Sequence, residues 1–297
     1  MTQHCGYVAI LGAPNAGKST LLNRLLGAKL SIVTPKPQTT RSRVLGILIE
    51  GETQAILVDT PGIFAPRRRL DRAMVGAAWS GAADADLIVV LVDAEKGVDA
   101  DTQRVLDGLA QHKSPAIAAL NKIDLVPREV LIPLAEHLDR AGHFDDIMMI
   151  SALTGDGVGD LKHRLVEAMP EAPWLYPEDQ LTDLPERLIA AEITRERLFL
   201  ELRQELPYAS MVETERWQEQ PDGSVRIEQI IHVERDSQKA IVLGKGGKQI
   251  KRIGELARAE MAKFLGRKVH LFLFVRVTEN WAEDRERYQA IGLDYES

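Results

Sequence analysis

Between residues 7 and 168 the chain alternates short apolar runs with amphipathic stretches. The runs are YVAIL, VLGILIE, AILVD, DLIVVLVD, AIAALN and DIMMIS. LIVVLV is continuous rather than alternating, the pattern of a strand covered on both faces. The repeated change of period predicts parallel strands joined by helical crossovers, a doubly wound α/β domain over residues 1–172. Next comes MPEAPWLYPEDQLTDLP, where Pro170, Pro173, Pro177 and Pro185 break helix and favour extended backbone. Residues 173–185 are therefore read as a linker. A second, smaller α+β domain is expected over 186–297. It opens with the helical ERLIAAEITRERLFLELRQ, then SMVETERWQEQ and SVRIEQIIHVER flank a PDG turn. A short apolar run, a basic helix from about Lys248 to Leu265, the strand VHLFLFVRV and a helical segment from about Asn280 follow. The order is helix, strand, strand, helix, helix, strand, with a terminal helix.

Composition changes this picture little. A chain of 297 residues with 45% hydrophobic and 27% charged residues suits two folded domains. No run approaches the length of a membrane span, the N-terminus lacks the features of a secretory signal, and Cys5 is the single cysteine. A cytoplasmic protein is expected. Charge adds more. The net charge of -7 excludes coating of nucleic acid by bulk attraction, yet Arg235 to Lys268 holds ten Lys or Arg against three acids, an excess of +7. Such a patch suggests a confined polyanion site.

Two glycine loops carry the candidate chemistry. GAPNAGKS, Gly12 to Ser19, fits G-x-x-x-x-G-K-[ST] and lies between a strand and a helix, the context that motif requires. Backbone amides of the run Gly12, Asn15, Ala16, Gly17, Lys18, Ser19 and Thr20 would cradle phosphates. Lys18 would reach the β/γ oxygens and Ser19 would offer its hydroxyl to Mg²⁺. LVDTPG places Asp59 at a strand end, where its carboxylate can act through a water on Mg²⁺, and Gly62 where a backbone amide could meet the γ-phosphate. NKID supplies Asn121, Lys122 and Asp124, whose carboxylate matches guanine N1–H and the exocyclic amine, so the nucleotide is GTP. ISAL supplies Ser151, Ala152 and Leu153, where a backbone amide meets guanine O6. Each piece is weak alone; all of them in order, each after a strand, point to a GTPase.

Residues 7–168 with these motifs resemble the translation-factor-like GTPases, which implies a Ras-like fold. PKPQTTRSRV resembles their switch I, so Thr40 would close on Mg²⁺ and the γ-phosphate, with Thr39 the second candidate. Lys18, Thr40 and Gly62 are then the catalytic candidates, and Ser19, Thr40 and Asp59 the metal set. Many GTPases carry glutamine directly after the glycine of this motif; here the position is Ile63, so turnover is expected to be slow. The resemblance also implies K⁺ held with the help of Asn15. RRRLDRAMV, Arg67 to Val75, is read as a switch II segment entering a helix, although its charge would also suit a membrane or RNA.

GKGG, Gly244 to Gly247, fits the G-x-x-G loop with which KH domains clamp a nucleic-acid backbone. Gly244, Lys245, Gly246, Gly247, Lys248, Lys251 and Arg252 would bind RNA. Ile241, Val242 and Ile250 would floor the site. A hairpin ahead of the loop resembles the type II KH arrangement, and that domain joined to this GTPase resembles the Era family across nearly the whole chain. The resemblance implies binding of 16S rRNA, a role in assembly of the 30S ribosomal subunit, peripheral association with the inner membrane, and a monomer. The residues themselves reach a GTPase with a single-stranded RNA-binding module. NKID with SAL disfavours a nucleotide kinase, the intact phosphate loop disfavours a purely structural RNA binder, and a tRNA-modification or tandem GTPase would need a further domain.

Overall fold

The computed structural model describes residues 2–36, 39–41, 43–141, 143–202, 206, 208–279, 281, 284, 285 and 293. They form two compact units. One comprises residues 1–31 and 37–183 and takes in Leu293; the other comprises 32–36 with 184–287.

The first unit is built on β1 (His4–Gly12), β2 (Val44–Glu50), β3 (Thr53–Asp59), β4 (Leu87–Asp93), β5 (Ala116–Asn121) and β6 (Asp146–Met149). Their spatial order is β2-β3-β1-β4-β5-β6. All neighbouring pairs are parallel except β2 with β3, which turn back on each other at residues 51 and 52. Every residue of β3, β4 and β5 is buried. That burial explains the unbroken apolar runs, because the helices α1 (Lys18–Leu26), α2 (Arg69–Ala83), α3 (Ala100–Leu109), α4 (Arg128–Ala141) and α5 (Val158–Glu167) shield the sheet. Strand order reverses at β1. The crevice beyond the carboxyl ends of β1, β3, β4 and β5 is thus where such a sheet receives a ligand.

In the second unit α6 (Glu186–Glu201) precedes β7 (Ser210–Glu219), β8 (Val225–Val233), α7 (Asp236–Leu243), α8 (Lys248–Leu265) and β9 (Val269–Val277). β7 and β8 are antiparallel, and β8 and β9 parallel. The short apolar run before the glycines is the helix α7. α8 buries Ile253, Ala257 and Met261, four residues apart, and exposes Lys248, Lys251, Arg252 and Arg258 on its other side. Residues 32–36 join this unit, where Val33 donates its amide to Glu196 Oε1 at 2.9 Å and Lys36 Nζ donates to the carbonyls of Phe199 and Leu202. The helix expected from about Asn280 lies outside the described residues, apart from Trp281, Asp284, Arg285 and Leu293.

The supposed linker differs most from expectation. Residues 173–183 belong to the first unit and run against the exposed edge of β2. Ile47 N donates to Leu181 O at 2.8 Å and Thr182 Oγ1 to Leu45 O at 2.6 Å. Gln54, wholly buried, accepts from the amides of Leu175 and Tyr176 at 2.9 and 3.0 Å and donates to Tyr176 O at 2.8 Å. The segment bends at residues 175 and 176 and turns at Pro177, where Gln180 N donates to Pro177 O at 3.1 Å, while the edge strand supplies hydrogen bonds that water would otherwise make. Replacing Gln54 by leucine leaves the part-buried amides of Leu175 and Tyr176 without this acceptor. We expect unfolding to be easier by about 1–3 kcal/mol, read as a lower denaturant midpoint, with faster proteolysis around residues 174–182.

Candidate functional site

The phosphate loop leaves β1 at Gly12 and enters α1 through Gly17, whose φ is 102°. A Cβ at Gly17 would lie 2.3 Å from Asn121 Nδ2, so space and conformation together require glycine there. Asn15 is left-handed as well, with φ 65°. The loop thus turns back over Lys18, which is 6% exposed and donates from Nζ to Gly12 O at 3.1 Å and Ala13 O at 3.0 Å. Burial lowers its pKa to about 8, against the opposing pull of Asp59.

Ser19, Thr40 and Asp59 converge. Ser19 Oγ donates to Asp59 Oδ2 at 2.7 Å and lies 2.9 Å from Thr40 Oγ1, which is 3.3 Å from the same carboxylate oxygen. Asp59 is wholly buried at the end of β3, and burial holds its carboxyl above the usual carboxylate range. Its second oxygen, Oδ1, has no hydrogen-bond partner among the described residues. Two hydroxyls and a carboxylate with one unpaired buried oxygen fit a hard divalent cation that takes its remaining ligands from phosphate and water. Mg²⁺ suits this set.

Asn121 ties three loops together. Its Nδ2 donates to Ala16 O at 2.7 Å, and its Oδ1 accepts from Ala152 N at 2.9 Å. The Ala152 amide, expected to meet guanine O6, is therefore engaged by a buried side chain that needs a donor. Ser151 is wholly buried, its Oγ accepting from Thr154 N, while Leu153 is exposed. Lys122 takes a left-handed conformation, φ 68°, and pairs with Asp93 Oδ2 at 2.5 Å. That turn presents Asp124 to solvent. Two contributors were missed by sequence reasoning. Asp93 ends a wholly apolar run, a signal that could have identified it. Arg24, which donates from Nε to Ala152 O at 3.1 Å and also to Leu153 O, carries no such signal.

Ile63 packs in the core with Leu11, Ala78 and Val90, so the position after Gly62 cannot orient a water. Its amide donates to Gly12 O at 3.1 Å. Thr20 follows Ser19 in the first turn of α1.

In the second unit Gly244 ends α7, and Gly244, Gly246 and Gly247 have φ of 69°, 61° and 74°. A Cβ at Gly244 would lie 2.6 Å from Gln249 Cβ. Lys245, Lys248 and Lys251 are exposed and make no ion pair among the described residues. Arg252 is instead paired with Glu201 Oε2 at 2.7 Å. The proposed floor needs correction: Val242 is wholly buried in the core because it faces inward from α7, and only Ile241 and part of Ile250 remain available.

The fold and this site define a P-loop GTPase joined to a KH domain. The family model for 50S ribosome-binding GTPases matches residues 7–122, and that for KH domains matches residues 205–282. GTPase Era of Rhizobium meliloti (strain 1021) is 59% identical over 98% of this chain and 93% of its own. GTPase Era of Brucella suis biovar 1 (strain 1330) is 57% identical with the same coverage. Two solved Era structures, one from Aquifex aeolicus bound to GDP·AlF₄⁻ and one in complex with MgGDPNP and nucleotides 1506–1542 of 16S ribosomal RNA, each superpose with TM-score 0.93 and 38% identity over 98% of this chain and 99% of theirs. The chain belongs to the GTPase Era family, and it is a GTPase.

Lys18 sets a pH signature. Its folded pKa of about 8 lies below the ordinary lysine value of 10.5, so between these pH values the unfolded chain binds more protons and stability rises with pH. We expect nucleotide-free protein to gain up to about 3 kcal/mol over that window relative to Lys18→Met, from denaturant melts of both at each pH.

Proposed function

We propose that this chain binds GTP with Mg²⁺, hydrolyses it slowly, and grips single-stranded 16S rRNA through its KH domain during assembly of the 30S subunit. The observation that carries the nucleotide half is the convergence of Ser19, Thr40 and Asp59 around an unpaired buried carboxylate oxygen. The RNA half is supported by the exposed lysines on a glycine turn, and by the relative solved with MgGDPNP and 16S rRNA.

The residues divide the work. Lys18 holds its ammonium in a dry site against two loop carbonyls, and triphosphate oxygens are stronger partners for that charge than carbonyls. Mg²⁺ held by Ser19, Thr40 and Asp59 would neutralise charge on the transferring phosphoryl group. Thr40 already lies beside Ser19 and Asp59, where it would meet Mg²⁺ and the γ-phosphate, and the Gly62 amide would meet the same phosphate. With Ile63 buried, orienting the attacking water falls to backbone groups, to a monovalent cation such as K⁺ held at Asn15, or to a partner. Asp124 selects guanine through two accepted hydrogen bonds. We expect Asp124→Asn to weaken GTP binding and strengthen binding of xanthosine triphosphate, whose extra carbonyl complements an amide. Unchanged preference in competition binding would remove the guanine assignment.

For the KH loop, Lys245→Asp with Gly246→Asp sets two negative charges where phosphates approach. RNA affinity should collapse, and the slope of log affinity against log salt should flatten by roughly 0.7 for each phosphate the loop no longer holds. Circular dichroism and a cooperative denaturant melt, read beside GTP affinity, show that both units of the variant are folded. Unchanged RNA affinity and slope in a folded variant would overturn the RNA reading.

A further inference from the structure

The positive charge of residues 67–72, where α2 begins, is accounted for neither by the switch II reading nor by the KH loop. It holds four arginines, 67, 68, 69 and 72, against Asp71, an excess of +3 in a chain of net charge -7. Arg67, Arg68 and Arg72 are exposed, and none makes an ion pair among the described residues. Asp71 is buried and directed at the backbone, its Oδ2 accepting from the amides of Arg67 and Arg68 at 3.0 Å each.

This placement is electrostatically unfavourable in isolation. Cations at a helix N-terminus oppose the helix dipole, and Arg68 and Arg72, four residues apart, repel each other on one side of the first turn. A solvated helix face would gain by putting acids here. The opposite side of α2 is apolar and already covered: Ala73 and Met74 are buried against Leu293, with Leu70 and Ala77 packed beside them. A helix seated on a membrane needs an apolar face to insert. Among its described residues this one exposes Arg72, Ser80 and Ala83 and no large apolar side chain, which suits the phosphates of a polymer better than lipid tails.

We propose that Arg67, Arg68 and Arg72 form a second RNA contact, on the GTPase domain, which takes the phosphate backbone of single-stranded RNA without reading sequence. This inference rests on the RNA-binding reading above. Guanidinium groups suit it, because each can hold a phosphate through paired donors.

The test uses the full chain saturated with a non-hydrolysable GTP analogue and Mg²⁺, and an unstructured single-stranded RNA of about forty nucleotides, well beyond one KH footprint. Arg67→Gln, Arg68→Gln and Arg72→Gln are combined, alone and together with Lys245→Asp and Gly246→Asp. Removing three arginine–phosphate pairs should lower the salt slope by roughly 2 and weaken binding at low salt by roughly tenfold or more. The residual RNA binding of the Lys245/Gly246 variant should disappear in the combined variant. Nucleotide affinity shows that the first unit of each variant is folded, and circular dichroism with a cooperative denaturant melt shows the same for the second.

Wild-type affinity and slope in the folded triple-arginine variant would overturn the proposal. So would unaltered RNA binding with abolished binding to vesicles of phosphatidylserine and phosphatidylcholine, which would make the run a membrane contact. Unaltered RNA binding with slower GTP hydrolysis would overturn it too, assigning the arginines to the nucleotide. Failure of the KH reading is separate: it appears as full binding by the Lys245/Gly246 variant, whatever the arginine variant does. Absence of RNA binding by the wild type would overturn both.

Discussion

A carboxylate buried without a full set of partners governs the first unit. Asp59 sits at the end of β3 with no exposure, one oxygen accepting from Ser19 and Thr40 and the other accepting from nothing among the described residues. Burying such a group is costly unless a charge or hydrogen bonds compensate. Lys18 supplies part of that compensation, but it is itself desolvated and rests on two carbonyls. Neither charge is at its best in the protein alone. A divalent cation on Asp59 and a polyphosphate on Lys18 would relieve both at once, and the cost of burial held in the fold would return as ligand affinity. The surrounding glycines and left-handed residues are the geometry that keeps these two groups dry and close.

Asn121 extends the constraint to the base-binding side. Through Ala16 and Ala152 it fixes the distance between the phosphate loop and the loop after β6, while Lys122 holds its left-handed turn by pairing with Asp93. A left-handed lysine is unfavourable by about 1–2 kcal/mol. The ion pair with a nearly buried aspartate, with the backbone bonds Ile123 N to Ile150 O and Leu125 N to Lys122 O, offsets that cost, and the turn leaves Asp124 exposed. The exposed position of Asp124 is thus tied to the buried contacts of Asn121 and Lys122.

How much of this the sequence disclosed follows the range of the interactions involved. Strands showed as apolar runs, and the motif residues Lys18, Ser19, Asp59 and Asn121 showed because each ends or follows a strand and has a fixed local neighbourhood. Thr40 came from a resemblance and was found beside Ser19 and Asp59. What stayed hidden depends on partners distant in the chain. Gln54 looks like an ordinary polar residue in a strand until the segment near residue 175 is seen to need its oxygen. Prolines at 173, 177 and 185 spoke only for extended backbone, which fits a free tether and a covered sheet edge equally well. Val242 failed as a site residue for a similar reason: a short apolar run does not say which of its members faces inward, and the helical period of α7 decided it.

The two glycine loops solve different problems with one backbone device. In both, positive φ brings amides and a lysine round a tight turn. Lys18 is 6% exposed, folded under its loop, and desolvated enough for its pKa to fall to about 8. Lys245 stands in solvent on its turn. A dry lysine gains most from a ligand that fills the pocket completely and brings several negative charges to one point, as a triphosphate does, and it can therefore be sensitive to a single phosphate more or less. An exposed lysine gains little from any one phosphate and is screened by salt, but its site has open ends through which a long chain can run. The closed loop suits a switch that must tell GTP from GDP, and the open one a grip on a polymer.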